Sequence, residues 1–254
     1  MSSWILLRGL IREQRHWGRF PGELAQALPG AVIVTPDLPG NGQLHAQRSP
    51  TTVVAMVEYC RAELRARGVP APYSLLALSL GGMVAVEWAS RYPQEIARCV
   101  LVNTSMRPYS RFHQRLRWQN YSAILKQLWQ GGVENQERLI LRLTSRAGDQ
   151  AQREGVLTRW LTFQREYPVT RANALRQLWA AARFRAPATR PTMPLLVLSS
   201  AGDQLVDPRC SASLASAWQA AHMVHPGAGH DLPLDAGDWV AQAVAQWLAQ
   251  DKAR

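Results

Sequence analysis

Three residues of this 254-residue chain stand where a hydroxyl, an imidazole and a carboxylate could share a proton. Ser79 follows the apolar run 73–78 and precedes Leu80-Gly81-Gly82, so it sits between a strand and a helix whose first turn carries little side-chain bulk. A serine in such a sharp turn presents its hydroxyl for attack, and small neighbours let strand and helix approach closely. Asp203 ends Ala201-Gly202-Asp203, directly beyond the apolar run 195–199. His230 lies in Pro226-Gly227-Ala228-Gly229-His230-Asp231, a glycine-rich loop after the short run 222–225. Taken singly, Ser79 also reads as a helix N-cap and Asp203 as an Asx turn. Asp207, next to Pro208, is a second candidate acid, whereas His222 and His225 fall inside a strand and read as structural or solvent-facing. Taken together, the order Ser79, Asp203, His230 suits nucleophilic acyl transfer. The serine would attack, the histidine would take its proton, and the acid would orient the imidazole.

Groups so far apart in sequence need a scaffold that gathers strand ends. Strand-length apolar runs at 4–7, 31–35, 73–78, 99–103, 195–199 and 222–225 alternate with helical patterns, as a parallel sheet with crossover helices requires. Val53, Met56, Val57, Cys60 and Leu64 recur at helical spacing, as do Val84, Ala85, Trp88 and Ala89, and Trp239, Val240, Ala243, Val244 and Trp247. In such sheets functional groups collect beyond the carboxyl ends of the strands. Residues 105–190 interrupt the alternation with long Arg- and Trp-rich helical patterns, and Pro187, Pro191 and Pro194 then lead the chain back into a strand. We expect a helical insertion whose Trp118, Trp129, Trp160 and Trp179 pack its helices together and onto the core.

The formal charge of +11 lies entirely in that insertion, which holds 16 Lys and Arg against five Asp and Glu. No nucleic-acid-binding module accompanies the arginines, so nucleic acid is not the expected partner. Arg138, Arg142 and Arg146 recur every four residues and would form one basic edge on a helix, beside Leu139 and Leu143 and near Arg153. A solvated helical face is the plain alternative. The apolar run at the N-terminus is too short for a signal peptide or a membrane span, and Cys60, Cys99 and Cys210 are too few and too scattered for a disulfide framework or a zinc site. A soluble cytoplasmic protein is expected. No nucleotide-binding fingerprint is present, and the chemistry calls for no cofactor and no metal.

These features resemble the α/β-hydrolase superfamily along nearly the whole chain. Ala77-Leu78-Ser79-Leu80-Gly81 is similar to the family's Gly-x-Ser-x-Gly, with Ala77 at the first small position. Leu6-Leu7-Arg8-Gly9-Leu10 resembles its strand followed by His-Gly-x, and Asp37-Leu38-Pro39-Gly40-Asn41-Gly42 its Asp-x-Pro-Gly-x-Gly turn. Arg8 and Asn41 each stand where the family usually has histidine. The resemblance implies a three-layer α/β fold with a mostly parallel sheet of about six strands, lacking the family's first hairpin. Residues 1–104 and 191–254 would be the catalytic core and 105–190 a helical cap. It implies that Ser79 is the nucleophile, His230 the general base and Asp203 its acid, with an oxyanion hole made by the N–H groups of Leu80 and Leu10. The leading activity is hydrolysis of small carboxylic esters through an acyl-enzyme. Thioesterases, lactonases, carbon–carbon bond hydrolases and perhydrolases can use the same residues. Local resemblance to pimeloyl-acyl-carrier-protein methyl ester esterases raises a carrier-linked substrate, with an acidic acyl carrier protein or a coenzyme A thioester drawn to the basic cap. A non-catalytic binding protein of the same fold is the reading from another class.

Overall fold

In the computed structural model, which describes residues 2–146 and 148–252, the apolar runs become six strands. They are β1 (Ser3–Leu7), β2 (Val32–Val34), β3 (Tyr73–Leu78), β4 (Ile96–Val102), β5 (Leu195–Ser200) and β6 (Ala221–His225). The sheet runs β2-β1-β3-β4-β5-β6, and every pair is parallel. β1, β3 and β5 are buried at every residue. A parallel sheet covered on both faces requires this, and so its strands read as unbroken apolar runs.

Helices α1 (Phe20–Ala27), α2 (Val53–Ala66) and α3 (Leu80–Arg91) precede β4. Five more, α4 (Phe112–Arg115), α5 (Tyr121–Gln130), α6 (Val133–Thr144), α7 (Gln150–Glu166) and α8 (Arg171–Arg183), lie between β4 and β5. α9 (Arg209–Trp218) joins β5 to β6, and α10 (Leu232–Lys252), broken at Ala236, ends the described chain. Alternate strand residues build two cores. Ile5, Leu75, Cys99 and Leu101 pack against Met56 and Cys60 of α2, Val84 and Trp88 of α3, and Leu214 and Trp218 of α9. Trp4, Leu6, Leu76, Val100 and Leu196 point the other way, to Phe20 and Leu24 of α1 and Val240, Val244 and Trp247 of α10. The result is the three-layer α/β sandwich that the alternation of elements implied.

Two helices were not foreseen. α1 is only eight residues long and contains Pro21 and Gly22, but the proline sits in the first turn, where a missing N–H costs nothing. α9 carries Cys210, Leu214 and Trp218 at intervals of four among small polar residues, a legible stripe that was overlooked. The expectation that all four tryptophans of the inserted segment pack inward needs correction. Trp160 is buried, whereas Trp118, Trp129 and Trp179 are 63%, 90% and 54% exposed. Cys60, Cys99 and Cys210 are buried and unpaired, and burial pushes the Cys60 thiol up to about 12. No helix among the described residues is long and apolar enough to cross a membrane.

One ion cluster ties α2 to the β4 side of the sheet. Glu95, in the turn before β4, accepts from Arg61 Nε at 2.9 Å and Nη2 at 2.7 Å, from Arg65 at 3.1 Å and from Trp88 Nε1 at 2.9 Å. The Arg61 hydrogen bonds lead in lowering its pKa from 4.5 to about 2. A carboxyl lowered by folding contributes stability above its unfolded value and loses it as pH falls through the folded one. Acidification from pH 4.5 to 2 should therefore cost about 3 kcal/mol through this group. Denaturant titrations of wild type and Glu95→Gln across that window check it: the variant should show a shallower decline, and equal slopes would remove the assignment.

Candidate active site

The turn after β3 is built by what surrounds Ser79. Its backbone sits at φ 55°, ψ −114°, a left-handed conformation that a non-glycine residue holds only when its neighbours over-determine it. Here Ser79 N donates to Val102 O at 3.0 Å, while Ser79 O accepts from Gly82 N at 2.9 Å and from Thr104 Oγ1 at 2.8 Å. Gly81 is needed in the same turn, because a Cβ there would lie 2.3 Å from the Leu7 carbonyl oxygen at the end of β1. The first turn of α3 therefore rests directly on the strand, and the half-buried Ser79 side chain stands above it.

Leu80 is the first residue of α3, so its N–H has no acceptor within the helix. Leu10 follows Gly9, whose Cα lies against the Ser79 side chain: a Cβ built on Gly9 would be 3.3 Å from Ser79 Cβ. Leu80 is thus the residue after the serine, and Leu10 the residue after the glycine that packs on it. The loop that carries Leu10 is held from outside the sheet. Ile11, at φ 54°, donates its N–H to Gln177 Oε1 of α8 at 2.8 Å. Asn41 Nδ2 donates to Arg12 O at 3.1 Å, and Gln177 Nε2 donates to Asn41 Oδ1 at 2.8 Å. Asn41, where the family has histidine, is therefore a buried bridge between this loop and α8. Arg12 lies 2.9 Å from Glu137 of α6 in a buried ion pair and stacks on Trp160 at 4.4 Å. Beside it, burial and then the charges of Arg12 and Arg8 press His16 well below the ordinary imidazole range.

His230 and Asp203 meet beyond the carboxyl ends of β5 and β6, where His230 Nδ1 and Asp203 Oδ2 are 2.7 Å apart. The other carboxylate oxygen accepts from Leu205 N at 2.8 Å and Val206 N at 2.9 Å, so Asp203 is fully committed as an acceptor. That arrangement favours the tautomer with the proton on Nδ1 and leaves Nε2 to act as a base. Both residues are buried, at 4% and 1% exposure. Among the described residues the Ser79 hydroxyl has no side-chain hydrogen bond of its own. In unliganded sites the nucleophile–base contact is often long and tightens with substrate. Asp207, the second candidate acid, is elsewhere. Its carboxylate is taken by the side chain of Arg209, at 2.6 and 3.0 Å, whose hydrogen bonds hold it below the usual carboxylate range.

Residues to which the sequence reading gave no role in the site hold the histidine loop. Arg8 makes a bidentate contact with Asp231, the residue after His230, at 3.1 and 2.6 Å, and lies over Trp17 at 4.6 Å. Asn103, left-handed at the end of β4, donates through Nδ2 to His230 O at 2.8 Å, Gly229 O at 3.2 Å and Ser200 Oγ at 2.9 Å. Asp231 N donates to Thr144 O at 2.7 Å, which ties the loop to the end of α6. The available signals were an arginine where the family usually has histidine, and an asparagine at a central strand's end, where its side chain tolerates positive φ.

The basic edge is broken. α6 ends at Thr144 and Ser145 is extended, so Arg146 lies off the helix, and Arg138 is paired with Glu134 at 3.0 Å and Glu154 at 2.8 Å. Arg142, Lys126 and Arg153 instead line a cavity of about 440 Å³ with Leu139 and Leu157.

Known proteins share this architecture. BpoC from Mycobacterium tuberculosis H37Rv superposes with a TM-score of 0.77 at 21% identity, covering 98% of this chain and 92% of that one. A thermophilic esterase from Thermogutta terrifontis gives 0.74 at 20% identity, covering 98% and 90%. In sequence, the biotin biosynthesis bifunctional protein BioHC of Teredinibacter turnerae is 33% identical over 105 residues, a match spanning 41% of this chain and 17% of that protein. The model for the alpha/beta hydrolase fold matches residues 5–236, which include the sheet from Ile5 of β1 onward and the turn that carries Ser79. This chain therefore belongs to the α/β-hydrolase fold family.

Proposed function

We propose that the protein is a serine hydrolase of carboxylic esters that works through an acyl-enzyme. The observation that supports this reading best is the Nδ1–Oδ2 contact of His230 with Asp203 on the same sheet edge as a serine in a strained strand-to-helix turn. His230 Nε2 takes the Ser79 proton as Oγ attacks the ester carbonyl carbon, and the N–H groups of Leu80 and Leu10 receive the developing oxyanion. The imidazolium then protonates the leaving alcohol. A water that gives its proton to His230 attacks the acyl-enzyme, and the imidazolium returns that proton to Ser79 Oγ as the acyl–oxygen bond breaks and the acid leaves. Asp203 keeps the imidazole oriented and stabilises its charged form.

A fluorophosphonate probe tests this reading. Wild type should acquire one adduct, on the peptide that contains Ser79, and folded Ser79→Ala should acquire none. Failure to label folded wild type, together with no turnover across an ester panel, would favour a non-catalytic binding protein of the same fold.

A second reading, a carrier-linked or coenzyme A-linked acyl ester or thioester, is favoured by the cluster of Lys126, Arg142 and Arg153 around the cavity between α5, α6 and α7. It also draws on the likeness to a relative named for biotin biosynthesis. If it holds, kcat/KM for a substrate carried on an acidic protein should fall steeply between low and physiological salt, as the Debye length shortens to about 8 Å. A small neutral ester should barely respond. Arg142→Glu with Arg153→Glu should flatten the salt dependence of the large substrate alone, and equal salt sensitivity of both substrates would remove this reading.

A further inference from the structure

Helix α8 is amphipathic the wrong way round for a surface helix. Two of its three buried residues, Asn173 and Gln177, are polar, and the third is Ala180. Gln177 is bound to Ile11 N, Asn41 Oδ1 and Ser49 Oγ, and Asn173 to Ser49 N and the carbonyls of His45 and Gln47. Outward lie Leu175, Leu178, Trp179 and Ala182, spaced i, i+3, i+4, i+7 as a stripe that would ordinarily face a core. Leu175, Leu178 and Trp179 are 59%, 48% and 54% exposed. With Thr51 and Arg176 they line a shallow apolar hollow of about 510 Å³. Other large apolar side chains are exposed on segments tied to the two ends of the helix. Arg115 donates to the Ala181 and Ala182 carbonyls, and α4, which carries it, begins with the 73% exposed Phe112. At the other end Gly131 lies against the Arg171 guanidinium, two residues after the 90% exposed Trp129.

Charge decides what this face fits. Arg171 and Arg183 are exposed at the two ends of α8, and the Arg183 guanidinium lies over the Trp179 ring at 5.3 Å. Arg185 and Arg190 follow, and no aspartate or glutamate occurs between Glu166 and Asp203. A second copy pressed face to face would bring two arginine sets of like sign together, with no carboxylate on α8 itself to pair them. A bilayer rich in anionic phospholipid accepts both chemistries. Indole and leucine side chains enter at the headgroup–acyl boundary, while guanidinium groups meet phosphate bidentately. We propose that the outer face of α8 is a peripheral docking surface for anionic lipid bilayers. Three large apolar side chains on a single 13-residue helix make this docking reversible and salt-sensitive.

The test uses the full chain and sedimentation with vesicles of phosphatidylglycerol and phosphatidylcholine in equal parts, or of phosphatidylcholine alone. Wild type should pellet with the mixed vesicles at low salt, stay in solution with phosphatidylcholine, and be released as salt rises. Leu178→Glu should abolish pelleting. Arg171→Gln with Arg183→Gln should lower the partition coefficient roughly thirtyfold. Trp179→Ala should lose most of the blue shift in tryptophan emission on mixing. Ser79→Ala should bind vesicles as wild type does, so vesicle binding stands or falls separately from the esterase reading. Circular dichroism, and retained turnover of a small ester where wild type shows it, verify the fold of the surface variants. No pelleting of wild type, or equal pelleting of wild type and Leu178→Glu, would overturn the proposal. So would a concentration-dependent dimer in sedimentation velocity that Leu178→Glu dissociates, since it would assign the face to a second copy.

Discussion

Ser79→Ala and His230→Ala should each lower kcat for an ester by about 10⁴- to 10⁶-fold with the fold intact. In the proposed mechanism Ser79 supplies the attacking oxygen, and no other hydroxyl occupies the turn between β3 and α3. His230 would supply both the proton acceptor and the later proton donor. Removing both residues should cost little more than removing either one, because each step requires the pair. Asp203→Asn should fall by about 10⁴-fold, since an amide facing Nδ1 no longer selects the tautomer that leaves Nε2 free. Asp207 should not rescue that variant, because Arg209 holds its carboxylate. Circular dichroism and thermal melts would accompany steady-state kinetics for each variant. Wild-type turnover in folded Ser79→Ala would sink the assignment outright.

The second large effect concerns Arg8 and Asp231, which are both 4% exposed. Asp231→Asn removes the counter-charge but leaves a guanidinium buried, and its Nε already lacks a hydrogen-bond partner among the described residues. Breaking a buried pair in this way should cost about 3–5 kcal/mol, or roughly 10 °C in Tm for a chain of this size. The pair also anchors the residue next to His230, so kcat should fall well beyond KM even at temperatures where the variant is fully folded. Replacing both partners with apolar residues, Arg8→Met with Asp231→Leu, removes the stranded charge. It should recover much of the lost Tm without recovering kcat. Arg8→Lys, a point charge that lacks the fork geometry, should fall between wild type and Asp231→Asn in both measurements. If kcat follows Tm through the whole series, the pair serves stability alone and its positioning role is lost.

What the sequence determined by itself was local and periodic. The fully buried strands read as apolar runs because both faces of the sheet are covered, and Ser79 and Asp203 sit just past β3 and β5, so those strand ends and two candidate residues were legible together. His230 instead follows the partly exposed β6 and was marked by its glycine-rich loop. Short-range chemistry marked the turn as well, since Gly81 and Gly82, two and three residues after Ser79, remove the side-chain bulk that would keep the helix off β1. Tertiary structure decided what depends on partners far away in the chain. Arg8 finds Asp231 across 223 positions and Gln177 reaches Asn41 across 136, distances over which no periodicity carries information. The same dependence explains the errors. Tryptophans at helical spacing were assigned to packing, yet on α8 a polar stripe faces inward because Asn173 and Gln177 can satisfy the loop backbone and side chains beneath them, and this turns Trp179 outward. The basic edge of three arginines assumed an unbroken helix. α6 stops at Thr144, where the histidine loop takes the Thr144 carbonyl and Asp235 takes Ser145 and the Arg146 N–H, so the third arginine leaves the helix. Hydrophobic period decides which segments are helices and strands, whereas the burial of a polar group is decided by whether a distant part of the chain supplies its hydrogen bonds.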